Sequence, residues 1–381
     1  MKRWFLIFAL ALTACSASSA QLVAAPQVPT PTGWTEITPQ PMRIDGRLLT
    51  PTCSDAPGAD PAFRFWTRQG TSDRLVIYFE GGGACWDDLT CSIPRFADSR
   101  GEGDGFFKAE LIPSDAPERM SGIFDLANAR NPLRDWSFVY VPYCTGDVHT
   151  GANTARYRNA DTGAPFQIEH RGADNFRVVL EWIKANFDTP EQILVAGSSA
   201  GAYGAQAHYV RIRNTFPRSR AALLGDAGQG VATQDFVDAR NSAWHYQLPH
   251  SVFGAAPLTA DDDVVARLAE HYPRDRFAQY TTAHDITQSA FYALMGVENA
   301  CSAWSLKMRH DLSGRQAAPN FRSYVAAGQT HTILRSRLFY TEASGGAPFA
   351  EWLAALVGDS GESWQNRACT NCEAPPARCG F

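Results

Sequence analysis

The sequence predicts one large α/β domain, built on a doubly wound, mostly parallel sheet with helices on both faces and lid-like insertions. Continuous apolar runs at 74–79, 136–142 and 193–196 are typical of strands covered on both faces. Segments with helical periodicity separate these runs, an alternation typical of parallel sheets. The chain has 381 residues and is 45% hydrophobic, which is enough to bury a large core.

The predicted elements follow one another along the chain without an internal repeat. They are an entering hairpin within 41–65, a strand at 74–79, an insertion without clear period at 92–130, a strand at 136–142, a helix at 175–187, a strand at 193–198, a helix to about 214, a strand at 221–224, a cap or lid at 229–275, strands at 277–283 and 321–327, and a last amphipathic helix near 348–356.

The N-terminus has the pattern of an export signal. Lys2 and Arg3 supply the positive charge, and the apolar segment 4–14 is too short to span a bilayer. The letters Leu-Thr-Ala-Cys ending at Cys15 resemble a bacterial lipobox, in which Cys15 would be lipidated and attach the protein to a membrane. Cleavage after Ala20, which would release the protein, is the alternative. We favour the lipoprotein because the following residues are rich in Ser, Ala, Pro and Thr, as a surface tether is.

We therefore divide the chain into four parts. These are a signal peptide over 1–20 with its lipobox ending at Cys15, a Pro/Ala-rich tether over 21–40, a single domain over 41–360, and a cysteine-rich tail over 361–381. The formal net charge of −5 provides no basic field for nucleic acid. The run Asp261–Asp263 precedes a helical pattern, and we interpret it as a capped helix start rather than a metal site.

Cysteine usage agrees with export to an oxidising compartment. Nine cysteines are present, and either processing event removes Cys15 from the set that can pair. The remaining eight suit four disulfides, but eight cysteines allow 105 connectivities, so their spacing does not fix the pairs. The tail contains Cys369, Cys372 and Cys379 without a following histidine, and we expect disulfides there rather than zinc.

A candidate nucleophile lies at the end of the strand at 193–198. The segment Gly197–Gly201 fits G-x-S-x-G, the nucleophile elbow of α/β-hydrolases, with Ser199 at its tip. The match is short, but a buried strand precedes it and a helix follows it, which is the context that the elbow requires. Its glycines are expected because strand and helix nearly touch at such a turn.

A serine hydroxyl needs an imidazole to accept its proton and a carboxylate to orient that imidazole. Asp285 and His331 each follow a predicted strand, in the order serine, acid, histidine that α/β-hydrolases use. His331 is favoured among nine histidines because it follows the last strand, although His284 also ends one. Asp226 competes for the acid, but it ends an earlier strand and could equally belong to a turn that shapes the pocket.

The glycines at 81–83 follow the strand at 74–79, where α/β-hydrolases place part of the oxyanion hole. Backbone N–H groups there and at Ala200 would stabilise developing negative charge, each by about 3 kcal/mol. A phosphate-binding loop is disfavoured because the P-loop's Lys-Ser/Thr pair is missing.

Three segments together carry a family resemblance. Residues 80–86 (EGGGACW), 141–151 (VPYCTGDVHTG) and 196–202 (AGSSAGA) are similar to the pectin acetylesterase and Notum carboxylesterase family. The similarity runs from about Cys53 to His331, and three motifs in order are more specific than any one of them. Gly83 stands where relatives often have an aromatic residue, which affects the expected pocket size.

The resemblance implies a role for each candidate residue. Ser199 would be the nucleophile, Asp285 the acid and His331 the base. The implied oxyanion donors are Gly82, Gly83 and Ala200, and the implied disulfides are Cys53–Cys144 and Cys85–Cys91, with Cys301 left for the three C-terminal cysteines. Asp147 and His149 show no third ligand for a metal, and the resemblance implies a structural loop under the site.

The predicted protein is an exported serine carboxylesterase, most consistent with removal of O-acetyl groups from an acetylated polysaccharide. It requires no cofactor and no metal. Cleavage of lipid esters or polyesters is the alternative of the same fold, since the acyl pocket is not readable from the sequence. A catalytically inactive, carbohydrate-binding surface lipoprotein is the alternative from another class. A covalent serine probe separates the last from an enzyme.

Overall fold

A nine-stranded sheet forms the centre of the computed structural model, which describes Met1 and residues 33–92, 105–246, 248–359 and 363–372. The predicted signal peptide, Cys15 and Cys379 lie outside the described residues. The strands are β1 (Thr35–Ile37), β2 (Met42–Ile44), β3 (Arg47–Leu49), β4 (Phe65–Arg68), β5 (Arg74–Phe79), β6 (Ser137–Val141), β7 (Asn153–Arg158), β8 (Pro165–His170), β9 (Gln192–Ser198), β10 (Arg220–Asp226), β11 (Arg276–Thr282), β12 (Phe321–Ala326), β13 (Ala343–Ser344), β14 (Ala347–Pro348) and β15 (Arg367–Ala368).

Helices and short 3₁₀ turns connect these strands. The α-helices are α1 (Asp88–Cys91), α2 (Gly172–Asn186), α3 (Ala200–Thr215), α4 (Gln234–Trp244), α5 (His250–Phe253), α6 (Val264–His271), α7 (Ile286–Leu294), α8 (Ala300–Arg315) and α9 (Phe349–Val357). The 3₁₀ turns are Pro113–Asp115, Pro117–Arg119, Gly122–Phe124 and Arg337–Tyr340. Within the described ranges, none of the helices has both the length and the apolar character needed to span a bilayer.

The central sheet has the order β1-β4-β6-β5-β9-β10-β11-β12-β15. Neighbours from β6 to β15 pair in parallel, whereas β1 and β4 pair antiparallel at one edge. Because parallel strands end at the same edge, the loops after β5, β9, β10, β11 and β12 meet there. The predicted mostly parallel, doubly wound fold class is confirmed.

Alternate side chains of each central strand enter two separate cores, as the period of two in a strand requires. Along β5, Ile77 and Phe79 belong to the core with α2, α3, α6 and α8. Val76 and Tyr78 belong to the opposite core, with α9 and the 3₁₀ turn at 122–124. Both faces of the sheet are therefore covered, which explains the continuous apolar runs in the sequence.

Both predicted ends of the domain need correction. β1, inside the predicted tether, pairs with β4, and the neighbouring Trp34 stacks edge-on against Phe138 at 5.7 Å between ring centroids. β15, inside the predicted tail, pairs with β12. The domain includes both segments because each adds backbone hydrogen bonds to an edge of the sheet.

Disulfides link loops around the edge of the sheet where the strands end. Cys53–Cys144 and Cys85–Cys91 are present, as the resemblance implied. In the tail Cys369 pairs with Cys372, and Cys301 is also disulfide-bonded. These bonds support the prediction that the chain folds in an oxidising compartment.

The predicted cap contains α4, α5 and α6. Asp263 begins α6 by accepting a hydrogen bond from the N–H of Ala266, as expected for the acidic run. The end of α4 is tied to the sheet because Trp244 Nε1 donates to the carbonyl oxygen of Cys85 at 2.8 Å. The cap thus contacts the segment that follows the glycines at 81–83.

Candidate active site

Ser199 occupies a strained turn between β9 and α3. Its φ of 57° and ψ of −125° lie outside the regions that residues with a β-carbon normally adopt. The turn is tight: a β-carbon built on Gly197 would lie 2.0 Å from the carbonyl oxygen of Gly201, and one on Gly201 would lie 2.0 Å from that of Phe79. The elbow therefore has the close backbone approach that its glycines predicted.

We expect Gly201→Ala to destabilise the fold by about 3 kcal/mol or more, because the added methyl group meets backbone atoms of β5 that cannot rotate away. Gly314→Ala on α8 is the matched control: no atom lies within 4 Å of the place its β-carbon would take, and alanine favours a helix by about 0.5–1 kcal/mol. Urea unfolding of both variants measures the effect. Equal stability of the two variants would contradict the steric account.

His331 and Asp285 form a hydrogen-bonded pair. His331 Nδ1 lies 2.9 Å from both carboxylate oxygens of Asp285, which is fully buried and also accepts from the N–H of Gln288 at 2.9 Å. Burial by itself lowers the pKa of His331, but the charge of Asp285 and its hydrogen bond raise it above the usual value, with Asp226 adding to the effect. His331 Nε2 is shielded from solvent and has no hydrogen-bond partner among the described residues.

Asp226 connects the elbow with the loop that carries His331. Its carboxylate accepts hydrogen bonds from Ser198 Oγ at 2.6 Å, from the N–H of Ile333 at 2.9 Å and from the N–H of Leu334 at 2.9 Å. Its carbonyl oxygen accepts from the N–H of Ser199 at 2.7 Å. Burial raises the pKa of Asp226 to about 6, although these hydrogen bonds act in the opposite direction. Asp226 therefore contacts the backbone of the histidine loop, whereas Asp285 contacts the imidazole.

The loop of glycines after β5 runs beside the elbow. Hydrogen bonds from the N–H of Lys108 to Gly82 (2.8 Å) and from the N–H of Ala84 to Phe106 (2.9 Å) form a short antiparallel bridge. In such a bridge the N–H of the residue between them, Gly83, points away from the partner segment.

The three predicted oxyanion donors take two different positions. Gly83 and Ala200 line the same cavity as Ser199. Gly82 is not among the lining residues; a β-carbon on it would lie 2.6 Å from the ring of Tyr143. The donor role of all three stays a prediction.

A buried ion network fixes the start of this loop and was missed at the sequence level. Glu80 accepts from Lys108 Nζ at 2.9 Å, from Arg335 at 2.8 Å and from the N–H of Tyr143 at 3.0 Å. Burial alone would raise the pKa of Glu80, but the two cations hold it below its usual value. A charged residue directly after a buried apolar strand was the available signal, since such a group needs partners.

His149 contacts the start of the glycine loop, and Asp147 holds the loop that carries His149, which agrees with the structural loop under the site that the resemblance implied. His149 Nε2 donates to the carbonyl oxygen of Glu80 at 2.7 Å, and burial lowers the pKa of this histidine to about 4. Asp147 is fully buried and accepts from Thr145 Oγ1 at 2.6 Å and from the N–H of Gly172 at 2.7 Å. Both side chains are engaged by protein groups.

One cluster in the described ranges has the spacing of metal ligands, namely Cys85, Cys91 and His170. Its two sulfurs form a disulfide, so neither is a thiolate that could bind a metal. His170 Nε2 lies 2.8 Å from the hydroxyl of Tyr157, and Nδ1 donates to Thr145. The cluster is thus occupied by protein contacts.

A cavity of about 80 Å³ opens beside Ser199 and His331. This space is larger than a single water molecule requires. Most of its wall is apolar. The large apolar side chains that line it are Trp86, Val148, Val231, Phe236, Trp244, Phe291, Met295 and Trp304. These residues come from six separate segments, which is why the sequence did not reveal the pocket.

Comparison with known proteins agrees with the architecture. The family model described as Pectinacetylesterase matches residues 49–291. Pectin acetylesterase 11 of Arabidopsis thaliana is 26% identical over 203 residues, which cover 52% of this chain and 48% of the relative. The human palmitoleoyl-protein carboxylesterase NOTUM is 26% identical over 187 residues, which cover 46% of this chain and 34% of the relative. The chain thus spans half or less of the length of these relatives.

Among solved structures, the Wnt deacylase Notum from Drosophila shares the fold. One of its crystal forms has a TM-score of 0.57 at 17% identity and covers 84% of this chain and 93% of the other. This likeness covers a larger share of the chain than the family model, which matches 49–291. From the match over well more than half of its length, the chain belongs to the pectinacetylesterase family, a family of esterases.

Proposed function

We propose that the protein is an exported serine carboxylesterase that acts through an acyl-enzyme. One observation carries the proposal: His331 is held by the buried Asp285 through Nδ1, while its Nε2 has no partner among the described residues and the imidazole lines the cavity that Ser199 also lines. This leaves Nε2 available to accept a proton from a hydroxyl brought to it.

In the proposed reaction, Ser199 Oγ attacks the ester carbonyl while His331 Nε2 takes its proton. The N–H groups of Gly83 and Ala200, with Gly82 as a predicted third donor, stabilise the oxyanion. Collapse of the tetrahedral intermediate passes the proton from His331 to the leaving alcohol. His331 then activates water, which releases the acid and restores Ser199.

The proposed substrate is an O-acetyl ester of a polysaccharide. The family description and the Arabidopsis relative's name, pectin acetylesterase, support this class. A panel of esters from acetyl to palmitoyl, together with acetylated pectin and xylan, tests it. We expect release of acetate from at least one of the two polysaccharides; acetate release from neither, with hydrolysis confined to other esters, would contradict the substrate.

The size and wall of the cavity favour a second candidate, the hydrolysis of esters with longer acyl chains. The cavity of about 80 Å³ exceeds what the single methyl group of acetate fills, and Trp86, Phe236 and Phe291 offer an apolar surface. A maximum of kcat/KM at an acyl chain longer than acetyl in the same panel would favour this candidate over deacetylation.

We expect ester hydrolysis to rise with pH through a midpoint above 6.5. Only neutral His331 accepts the serine proton, and the charge of Asp285 raises its pKa. Stability changes with pH in the opposite direction to activity. A raised histidine pKa stabilises the native state below pH 6.5, and this contribution disappears as the pH rises past the folded pKa. The measurement is kcat/KM against pH for wild type and Asp285→Asn. The variant's midpoint should move down, and an unmoved midpoint would contradict the assignment.

We also propose export and attachment to a membrane at a lipidated Cys15. The disulfides of the folded domain support passage through an oxidising compartment. The Cys15→Ala variant should leave the membrane fraction after cell fractionation, and identical fractionation of variant and wild type would exclude lipidation at this position.

A further inference from the structure

Arg240 places a charge on the wall of the cavity beside Ser199. Of the described residues that line the cavity, it is the one with a fixed charge. It forms no ion pair with any carboxylate in the described part of the chain, and its Nε is shielded from solvent without a hydrogen-bond partner there. A donor that is shielded from water and has no acceptor is costly, so Nε gains from a ligand that can accept its hydrogen bond.

Aromatic rings hold the guanidinium of Arg240 in place. Phe236 lies four residues earlier on α4, hence on the same face, with its ring centroid 5.7 Å from the guanidinium carbon. After α4, His245 adopts a left-handed conformation with φ of 50°, and Tyr246 then lies 4.5 Å from that carbon. Stacked rings stabilise the flat face of a guanidinium and leave its N–H edge free to donate.

We propose that Arg240 binds a carboxylate carried by the ester substrate, an inference that rests on the proposed esterase function. A carboxylate matches the two-pronged N–H edge of arginine, and its single negative charge is neutralised by one guanidinium. A phosphate monoester carries close to two charges near neutral pH and would need a second cation, whereas the described residues of the cavity wall supply a single one. The few polar groups of an apolar pocket commonly set orientation and specificity in this way.

The carboxylate could belong to the acyl group or to the alcohol, and two pairs of substrates distinguish these sources. The acyl pair is the 4-nitrophenyl monoester of adipic acid against 4-nitrophenyl hexanoate, which have equal chain lengths and differ in the terminal charge. The alcohol pair is an acetylated galacturonate oligomer against the same oligomer with its carboxyl groups methylated. The measured quantity is the ratio of kcat/KM, anionic over neutral, within each pair.

We expect the wild-type ratio to exceed ten in one of the pairs. Arg240→Gln should lower that ratio about 10- to 100-fold, as expected for loss of a hydrogen-bonded charge pair. Arg240→Lys keeps the charge but loses the paired N–H donors of the guanidinium. Its ratio should lie between those of wild type and Arg240→Gln. Arg43→Gln, which changes an exposed arginine on β2, should leave the ratio unchanged. Because the wild-type ratio should also fall with added NaCl, the proposal stays testable if Arg240→Gln does not fold.

The outcomes separate the two levels of the proposal. Hydrolysis of the neutral esters with ratios near one in both pairs would overturn the role of Arg240 and leave the esterase function standing. So would a high ratio that survives in Arg240→Gln. Failure of the wild-type protein to hydrolyse any of the four esters would overturn the esterase function, and with it the role of Arg240.

Discussion

Replacing Ser199 with alanine should lower kcat for ester hydrolysis by about 10⁴- to 10⁶-fold, because no other hydroxyl takes its place at the elbow. The residual rate should reflect the oxyanion donors and substrate binding alone. Labelling with a fluorophosphonate probe should disappear together with turnover. The fold should be retained, since no hydrogen bond of the Ser199 side chain in the described residues is lost on truncation to alanine.

Ser251→Ala is the matched control, since Ser251 is an exposed serine on α5, away from the cavity. It should label and turn over like wild type. Labelling that survives Ser199→Ala would show that another residue is the nucleophile. A wild-type protein that neither labels nor hydrolyses any ester would favour the inactive surface lipoprotein.

Asp285→Asn should lower kcat about 10⁴-fold while the protein stays folded. An asparagine amide at this position would donate to Nδ1 of His331, which forces the ring proton onto Nε2. An imidazole protonated at Nε2 cannot accept the proton of Ser199. Asparagine also caps helices well, so the start of α7 at residue 286 should persist. Steady-state kinetics with circular dichroism as a fold check measures the effect.

Asp226→Asn tests the competing acid. Asp226 accepts from Ser198, Ile333 and Leu334, and the asparagine amide would face at least one donor and break its hydrogen bond. Such a loss costs about 1–3 kcal/mol in a buried site. We expect kcat to fall about 10- to 100-fold with little change in KM, which is less than for Asp285→Asn. Loss of turnover in Asp226→Asn alone would reverse the assignment of the acid.

Local sequence predicted the sheet and the elbow well because both depend on short-range patterns. A strand covered on both faces must be apolar throughout, and a strained elbow must have glycine on either side of the serine. The same reasoning placed Asp285 and His331 at strand ends. Their mutual hydrogen bond is a structural finding, whereas their catalytic roles remain predictions.

The choice between Asp226 and Asp285 depended on long-range contacts that no local pattern contains. Asp226 ends β10, Asp285 follows β11, and both contact the loop after β12. The N–H of His284 donates to Gly328 at 3.0 Å, which brings His331 over the end of β11 and hence to Asp285. Two residues later in the same loop, the N–H of Ile333 donates to Asp226.

Local sequence patterns also did not predict the edge strands of the domain or the residues of the cavity wall. β15 is two residues long and is recognisable only through its partner β12. Arg240 belongs to the predicted cap, and its stacking on Tyr246 depends on the left-handed turn at His245. Such features follow from packing between distant segments, which composition and periodicity do not record.

Because the carboxylate of Asp226 binds both the elbow and the histidine loop, substitutions in these two segments should be coupled. A substitution at Ser198 removes one donor from the carboxylate that residues 333 and 334 also donate to, so its effect should depend on what stands in that loop. Chimeras that graft the loop from a relative would then require the matching residues at 198 and 226. Such epistasis means that, within the family, some substitutions at these positions should be tolerated only when the matching position changes as well.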